Sequence, residues 1–272
     1  MKITLVRAMT RSAVFELLND SCYRAPAPYT VQLNGETILD GDTNVFSLFS
    51  LQPGTEYTLT VSDGSESAEL TFATAPESFF VDAARYGLVA DGETDNTAKL
   101  QAALSTCPKG GTVYVPAGVY RTQSLFLHSD TTLYLEKGCT LLGGTRREDY
   151  PILPGVLRDA KEEKECYLGL WEGNPLDSFA GLINIINEAN VTITGEGTLD
   201  GNAQNGDWYQ NPKVRRMAWR PRMFFTSHAQ NVVLHGVKVC NSYSWTIHPT
   251  YTENVDILDI RIRNSSTSPN TD

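Results

Sequence analysis

Between Ile3 and Thr74, apolar and polar positions alternate in short runs: ITLVRAMT, AVFELL, YTVQLNG, VFSLFSL, EYTLTVSD and AELTFAT. Alternation with period two, broken by Asn-Gly or Pro-Gly, suits strands that bury one face, and the regular spacing predicts a β-sandwich. Ala75-Pro76-Glu77-Ser78 reads as a short linker, so the expected domains are residues 1–76 and 77–272. Beyond it, TDNTAKLQAALSTC places Leu100 and Leu104 on one face behind Thr94 or Asp95 as an N-cap, which predicts one short helix. GGTVYVPAGVYRT, SLFLHS and TTLYLEKGCTLLG follow as short β runs separated by turns.

A repeat then emerges. NVTITGEGTLDG from Asn190, NVVLHGVKVCNS from Asn231 and NVDILDIRIRNS from Asn254 share one pattern of Asn-Val, aliphatic positions and a turn. The last two start 23 residues apart and the first two 41, room for one coil plus an insertion. TTLYLEKGCTLL fits the same mould with Leu133 in the Val position. A β-only repeat of this size is a solenoid signature, and stacking such units gives a right-handed parallel β-helix. The recurrent Asn suits a left-handed turn position or a hydrogen-bonded ladder along the stack. The predicted fold class is therefore all-β, an N-terminal β-sandwich followed by a β-helix that reads as truncated. A second sandwich is the competing reading.

Composition sharpens this only in part. The 272 residues are 41% hydrophobic and 20% charged, as in globular proteins, and the formal net charge is −10. That charge argues against general nucleic-acid or anionic-membrane binding, and an anionic substrate would need a local basic patch. MKITLVRAMTRSAVFELLND shows no apolar core or cleavage site of a signal peptide. Cytoplasmic location is the expectation, or a secreted or periplasmic one if a leader has been removed. Five widely spaced cysteines without a CxxC read as scattered thiols rather than a disulfide framework. No metal motif, phosphate loop or nucleotide fingerprint is present, so no cofactor is expected. GEGTLDG is not followed by a helical pattern, and its glycines are better assigned to β-turns.

Two resemblances follow from particular stretches. SLQPGTEYTLTVSDG places Tyr57 where its hydroxyl can bond back to the preceding corner, and it resembles the E–F region of fibronectin type III domains. The later chain resembles the polygalacturonase family of glycoside hydrolases (glycoside hydrolase family 28). The residues that carry this are YGLVADGETDNTAKLQAAL, GGTVYVPAGVY, LEKGCTLLGG, GEGTLDGNAQNGDWY, RPRMFF, NVVLHGVKVCNSYSWTIHP and SPNTD, in that order. A fibronectin-like domain ahead of the helix is similar to the arrangement in exo-acting bacterial members.

The resemblance implies inverting hydrolysis of α-1,4-galacturonosyl bonds in pectic polygalacturonate, with a pectic oligo- or polysaccharide as partner and Asp272 on the water-activating side. An Asp-Asp pair, a Gly-His-Gly and an Arg-Ile-Lys belong to the family pattern after this point, and the sequence ends at Asp272. A catalytically silent fragment, self-associating through the open end of its helix, is the corresponding expectation. Inversion needs a carboxylic acid and a carboxylate base, and a lone Asp cannot serve as both. Asn270 is a candidate for positioning a sugar hydroxyl, or for extending the turn ladder. PKVRRMAWRPR gathers Lys213, Arg215, Arg216, Arg220 and Arg222 around Trp219. Arg220 and Arg222 are candidates for carboxylate recognition; a solvated loop with Arg220 salt-bridged to an Asp is the plainer reading. Trp245 and His248 are candidates to line the cleft, or to support it from below. The insertion PILPGVLRDAKEEKECYLGLWEGNPLDSF could wall off one end of a groove, which favours exo action. Competing functions are a non-catalytic pectin-binding or adhesion protein, the same chemistry on rhamnogalacturonan or decorated pectin, and, less favoured, a lyase.

Overall fold

The computed structural model describes residues 1–159 and 164–271. The chain divides into two compact units, Met1–Ser78 and Phe79–Asp272. Seven strands build the first: β1 (Ile3–Ala8), β2 (Ala13–Leu17), β3 (Arg24–Leu33), β4 (Glu36–Thr43), β5 (Val45–Leu48), β6 (Glu56–Ser62) and β7 (Ser67–Ala73). They form two antiparallel sheets ordered β1-β2-β5 and β4-β3-β6-β7. Alternate residues point inward, so Phe15, Phe46, Tyr57, Leu59, Val61 and Phe72 share one core. The strand that hydropathy missed is β4. It lies at a sheet edge, mostly exposed, and its sequence ETILDGDT buries no residue fully. The Tyr57 hydroxyl accepts from the Gln52 N–H at 2.8 Å, which ties the corner before β6 to the strand.

The second unit is a parallel β-helix. Its first sheet stacks Phe80–Asp82, Gly111–Val115, Thr131–Leu135, Ala189–Gly195, Gln230–His235 and Glu253–Leu258 in sequence order. A second sheet runs from Asp91–Asp95 to Arg261–Arg263, and a third contains Leu125–Phe126, Ile183–Ile186, Phe224–Ser227 and Ile247–Thr250. Inward positions line up in columns: Val113, Leu133, Ile193 and Leu234 on the first sheet, and Leu125, Ile183 and Phe224 on the third. All are fully or almost fully buried. Each contributes about 1.5–3 kcal/mol of apolar burial, which is why the period of the pattern specifies the coil. Helix α1 (Thr97–Thr106) lays Leu100 and Leu104 against this core. Its N-cap is Asn96 rather than Thr94 or Asp95; Asp95, one residue earlier, still accepts from Thr97 N through its Oδ1 at 2.9 Å. The Asn96 side chain is spent instead on Val89 and on the Thr94 carbonyl.

The repeated asparagines do both things the sequence suggested. Asn190, Asn231 and Asn254 hold φ of 58°, 55° and 55°, in the left-handed region. Their amides form a ladder: Asn254 Nδ2 donates to Asn231 Oδ1 at 3.0 Å, Asn231 to Asn190 at 2.9 Å, and Asn190 to Asp130 Oδ1 at 2.8 Å. Asp130 is thus the first rung. Thr131, not Leu133, occupies the Val position of the earlier coil, because Thr131 pairs with Val191 and Leu133 with Ile193. A two-residue shift keeps the same face inward, so hydropathy alone could not distinguish the registers.

Candidate active site

Two excursions leave the coil at one corner, between the second and third sheets: residues 144–182 and 201–223. The same corner in the next coils is formed by residues 241–246 and 264–271. These four segments bring together residues that are far apart in sequence. Trp171, on the first excursion, is stacked between Trp219 and Trp245, both ring centroids lying 5.3 Å away at interplanar angles of 20° and 8°. Trp245 in turn meets the His248 ring at 4.9 Å. His248 stands on the third sheet beside its register partner Phe225, with the rings 5.9 Å apart.

Under this row lie the two candidate arginines. Arg222 is 3% exposed, with its guanidinium 5.0 Å from the Trp245 ring centroid and 5.9 Å from Trp171. It donates to Ser178 Oγ at 3.1 Å, to the Arg220 carbonyl at 3.3 Å and to the Leu170 carbonyl. Arg220 is 4% exposed and donates to the Tyr243 carbonyl at 2.7 Å, the Pro269 carbonyl at 2.9 Å and Asn270 Oδ1 at 2.7 Å. Neither guanidinium therefore lies open for bidentate capture of a substrate carboxylate, as the sequence had suggested. The Arg220 acceptors are carbonyl oxygens rather than the anticipated Asp. Burial pushes both arginines down to about 10, and each also feels a neighbouring arginine, Arg147 for Arg220 and Arg220 for Arg222.

What Arg220 does is hold Asn270, whose φ of 56° places it in a left-handed turn. Thr271 is fixed as well, its carbonyl accepting from Thr246 Oγ1 at 2.7 Å. Asp272, the candidate catalytic carboxylate, lies outside the described residues. Two further cations of the loop are spent on acids, Arg216 on Asp207 at 2.6 Å and Arg215 on Asp177 at 3.1 Å, while Lys213 is exposed. Asp207 also receives Arg147, which lies 4.4 Å from the ring centroid of fully buried Trp208. Beneath, the Tyr243 and Tyr150 hydroxyls meet at 2.7 Å. Gly143 is required there, since a Cβ would come within 2.1 Å of the Tyr243 oxygen.

His248 is held down to about 4, first by burial and then by the charge of Arg222. Near neutral pH it is an uncharged imidazole. Its Nδ1 is buried without a hydrogen-bond partner, and its Nε2 reaches Thr250 Oγ1 only at 3.5 Å. The corner thus offers a half-buried aromatic row, a neutral imidazole and fixed turn residues over a cationic floor. Aromatic faces of this kind suit the apolar face of a sugar ring. Trp171 was not singled out by sequence reading, because it stands in an insertion without a repeat and only the fold joins it to Trp245. No group of three or more His, Cys, Asp or Glu side chains with metal-binding geometry occurs among the described residues.

Residues 169–272 match the family described as Glycosyl hydrolases family 28, and residues 80–140 match that described as Rhamnogalacturonase A/epimerase, pectate lyase-like. A "Probable polygalacturonase" of Vitis vinifera is 32% identical over 199 residues, covering 69% of this chain and 37% of that protein. The exo-poly-alpha-D-galacturonosidase of Dickeya chrysanthemi is 34% identical over 159 residues, covering 56% of this chain and 25% of its own length. The chain therefore spans roughly a quarter to two fifths of the length of these two relatives. The solved family 28 exopolygalacturonase of Yersinia enterocolitica superposes with a TM-score of 0.67 at 20% identity, over 99% of this chain and 59% of that one, a likeness of fold. The β-helix, the motifs at its corner and these matches together show a glycosyl hydrolase family 28 domain over residues 169–272.

Proposed function

We propose that this chain is part of a hydrolase that cleaves α-1,4-galacturonosyl bonds of pectic polygalacturonate with inversion, acting from a chain end. The observation that carries the reading is the corner itself. Trp219, Trp171 and Trp245 form one stacked row beside neutral His248, and buried Arg220 fixes Asn270 two residues before Asp272. Asp272 is the proposed base for the attacking water, with a second carboxyl group as the acid. Trp245 and His248 are the proposed sugar contacts, while Arg220 and Arg222 position the turn and the aromatic row rather than touching substrate. The hairpin bearing Trp171 fills one side of the corner, an arrangement suited to accepting a chain end.

The test is titration of the purified chain with oligogalacturonides, followed by tryptophan fluorescence, with neutral xylo-oligosaccharides as control. Saturable quenching by galacturonides alone, lost in Trp245→Ala, is the expected result. No response to galacturonides in a folded protein overturns the reading. Galacturonate release is followed in parallel, and release abolished by Asp272→Asn assigns that carboxylate to the reaction.

A further inference from the structure

An indole serves a sugar ring through its broad apolar face, and that face has to be free to receive it. In the tryptophan row two such faces are already taken. Trp171 lies 5.3 Å from Trp219 at 20° and 5.3 Å from Trp245 at 8°, so one ring covers a face of each. Arg222 lies over the Trp245 ring at 5.0 Å, and His248 is tilted against it at 4.9 Å. A sugar that stacks where Trp171 now stacks must first displace it.

The three rings are not held alike. The Trp219 backbone is tied into the corner on both sides, its N–H donating to the Asp177 carbonyl and its carbonyl accepting from Phe179 N–H, each at 2.9 Å. The Trp245 carbonyl accepts from Met223 N–H at 3.1 Å, within the stacked coils. Trp171 instead stands on a hairpin of two residues a strand, Leu170–Trp171 against Asn174–Pro175. Its turn, Glu172 and Gly173, has φ of 49° and 82°, both positive as a two-residue hairpin turn requires. Residues 172–175 are exposed, and Pro175 has no N–H to give to the ladder. The hairpin is fixed at its base, where Leu176 N–H donates to the Gly169 carbonyl at 2.8 Å and Arg222 donates to the Leu170 carbonyl. A ribbon this short is marginal by itself, so stacking of Trp171 is what keeps its tip down.

We infer that the faces of Trp219 and Trp245 covered by Trp171 form a sugar-binding subsite, and that Trp171 fills it until a uronosyl ring takes its place. The inference rests on the proposed function, which supplies the ligand class. The exchange swaps one stacked ring for another, so the two fixed walls keep a partner throughout. Lifting the tip exposes little that is not already in water, because residues 172–175 are solvated in the closed form. Trp171 is thus a competitor of the sugar, whereas Trp219 and Trp245 are its walls.

Calorimetric titration with trigalacturonate compares the parent chain with Trp171→Ala. A hairpin that leaves about a tenth of the molecules open weakens the apparent affinity about tenfold, so Trp171→Ala should bind about tenfold more tightly. Adding Trp245→Ala should abolish binding in both backgrounds. A second readout needs no variant: saturating the parent with trigalacturonate should speed amide exchange in residues 169–176, Leu176 among them, because the hairpin has lifted. Equal or weaker binding by Trp171→Ala, or hairpin exchange that is unchanged or slower on saturation, overturns the inference and leaves the proposed function standing. Trigalacturonate bound by neither protein overturns both.

Discussion

At the scale of single residues, the clearest energetics belong to Asn231. It occupies a left-handed turn and both donates and accepts in the amide ladder, from Asn254 and to Asn190. Ala at this position forfeits both bonds and resists the backbone conformation, for a cost of about 2 kcal/mol. Gly restores the conformation but not the bonds, so Asn231→Gly should lose about half as much, as read from urea midpoints. Equal losses for Ala and Gly would mean that backbone strain plays no part. His248 supplies the pH-dependent counterpart. Burial and Arg222 hold it at about 4 against an ordinary 6.5, so between these values the unfolded chain binds a proton that the folded one refuses. Its contribution to stability is present above about 6.5 and is lost as pH falls toward 4. His248→Gln should therefore lose less stability than the parent between pH 7 and pH 5. His235, likewise held near 4 by burial, is present in both proteins and cancels in the comparison. Identical losses would show that His248 is already solvated in the folded state.

At the scale of elements, Tyr57 shows how one hydroxyl closes a corner. Tyr57→Phe removes the acceptor for the Gln52 N–H while keeping the ring stacked on Phe72 at 5.5 Å. The cost should be about 1 kcal/mol, confined to unfolding of residues 1–78 and visible as hydrogen exchange there. A loss spread equally into the β-helix would contradict that assignment. What could be read from the sequence at this scale was whatever local periodicity dictates: six of seven sandwich strands, the helix at Thr97–Thr106 and the Asn repeat. β4 escaped because an edge strand buries too little to alternate. The Thr131 register escaped because a shift by two preserves the inward face. The site was legible only as a list of residue types. Arg220 and Arg222 looked like carboxylate binders from their chemistry, but their acceptors, at Tyr243, Pro269, Ser178 and Leu170, come from segments that only coil stacking brings within reach.

At the scale of the whole molecule, charge decides how a polyanion would be met. The formal net charge is −10, and the structure reduces the local basic patch that the sequence predicts. Arg215 and Arg216 are paired with Asp177 and Asp207, while Arg220 and Arg222 are buried beneath the tryptophans. Lys213 and half-exposed Arg215 are left at the surface, too few to outweigh the net charge, so the long-range field repels polygalacturonate and recognition would rest on short-range stacking and hydrogen bonds. Screening shortens the reach of that repulsion from about 30 Å at 0.01 M salt to about 8 Å at 0.15 M. The association rate with oligogalacturonides, measured by stopped-flow tryptophan fluorescence, should therefore rise over that range, whereas binding steered by a cationic groove would slow. Neutral oligosaccharides tested in parallel should show no salt dependence, which separates screening from any salt effect on the protein itself. A rate that falls with salt would mean that arginines at the corner leave their acids to meet the ligand, and would return them to the carboxylate-binding role suggested by their sequence.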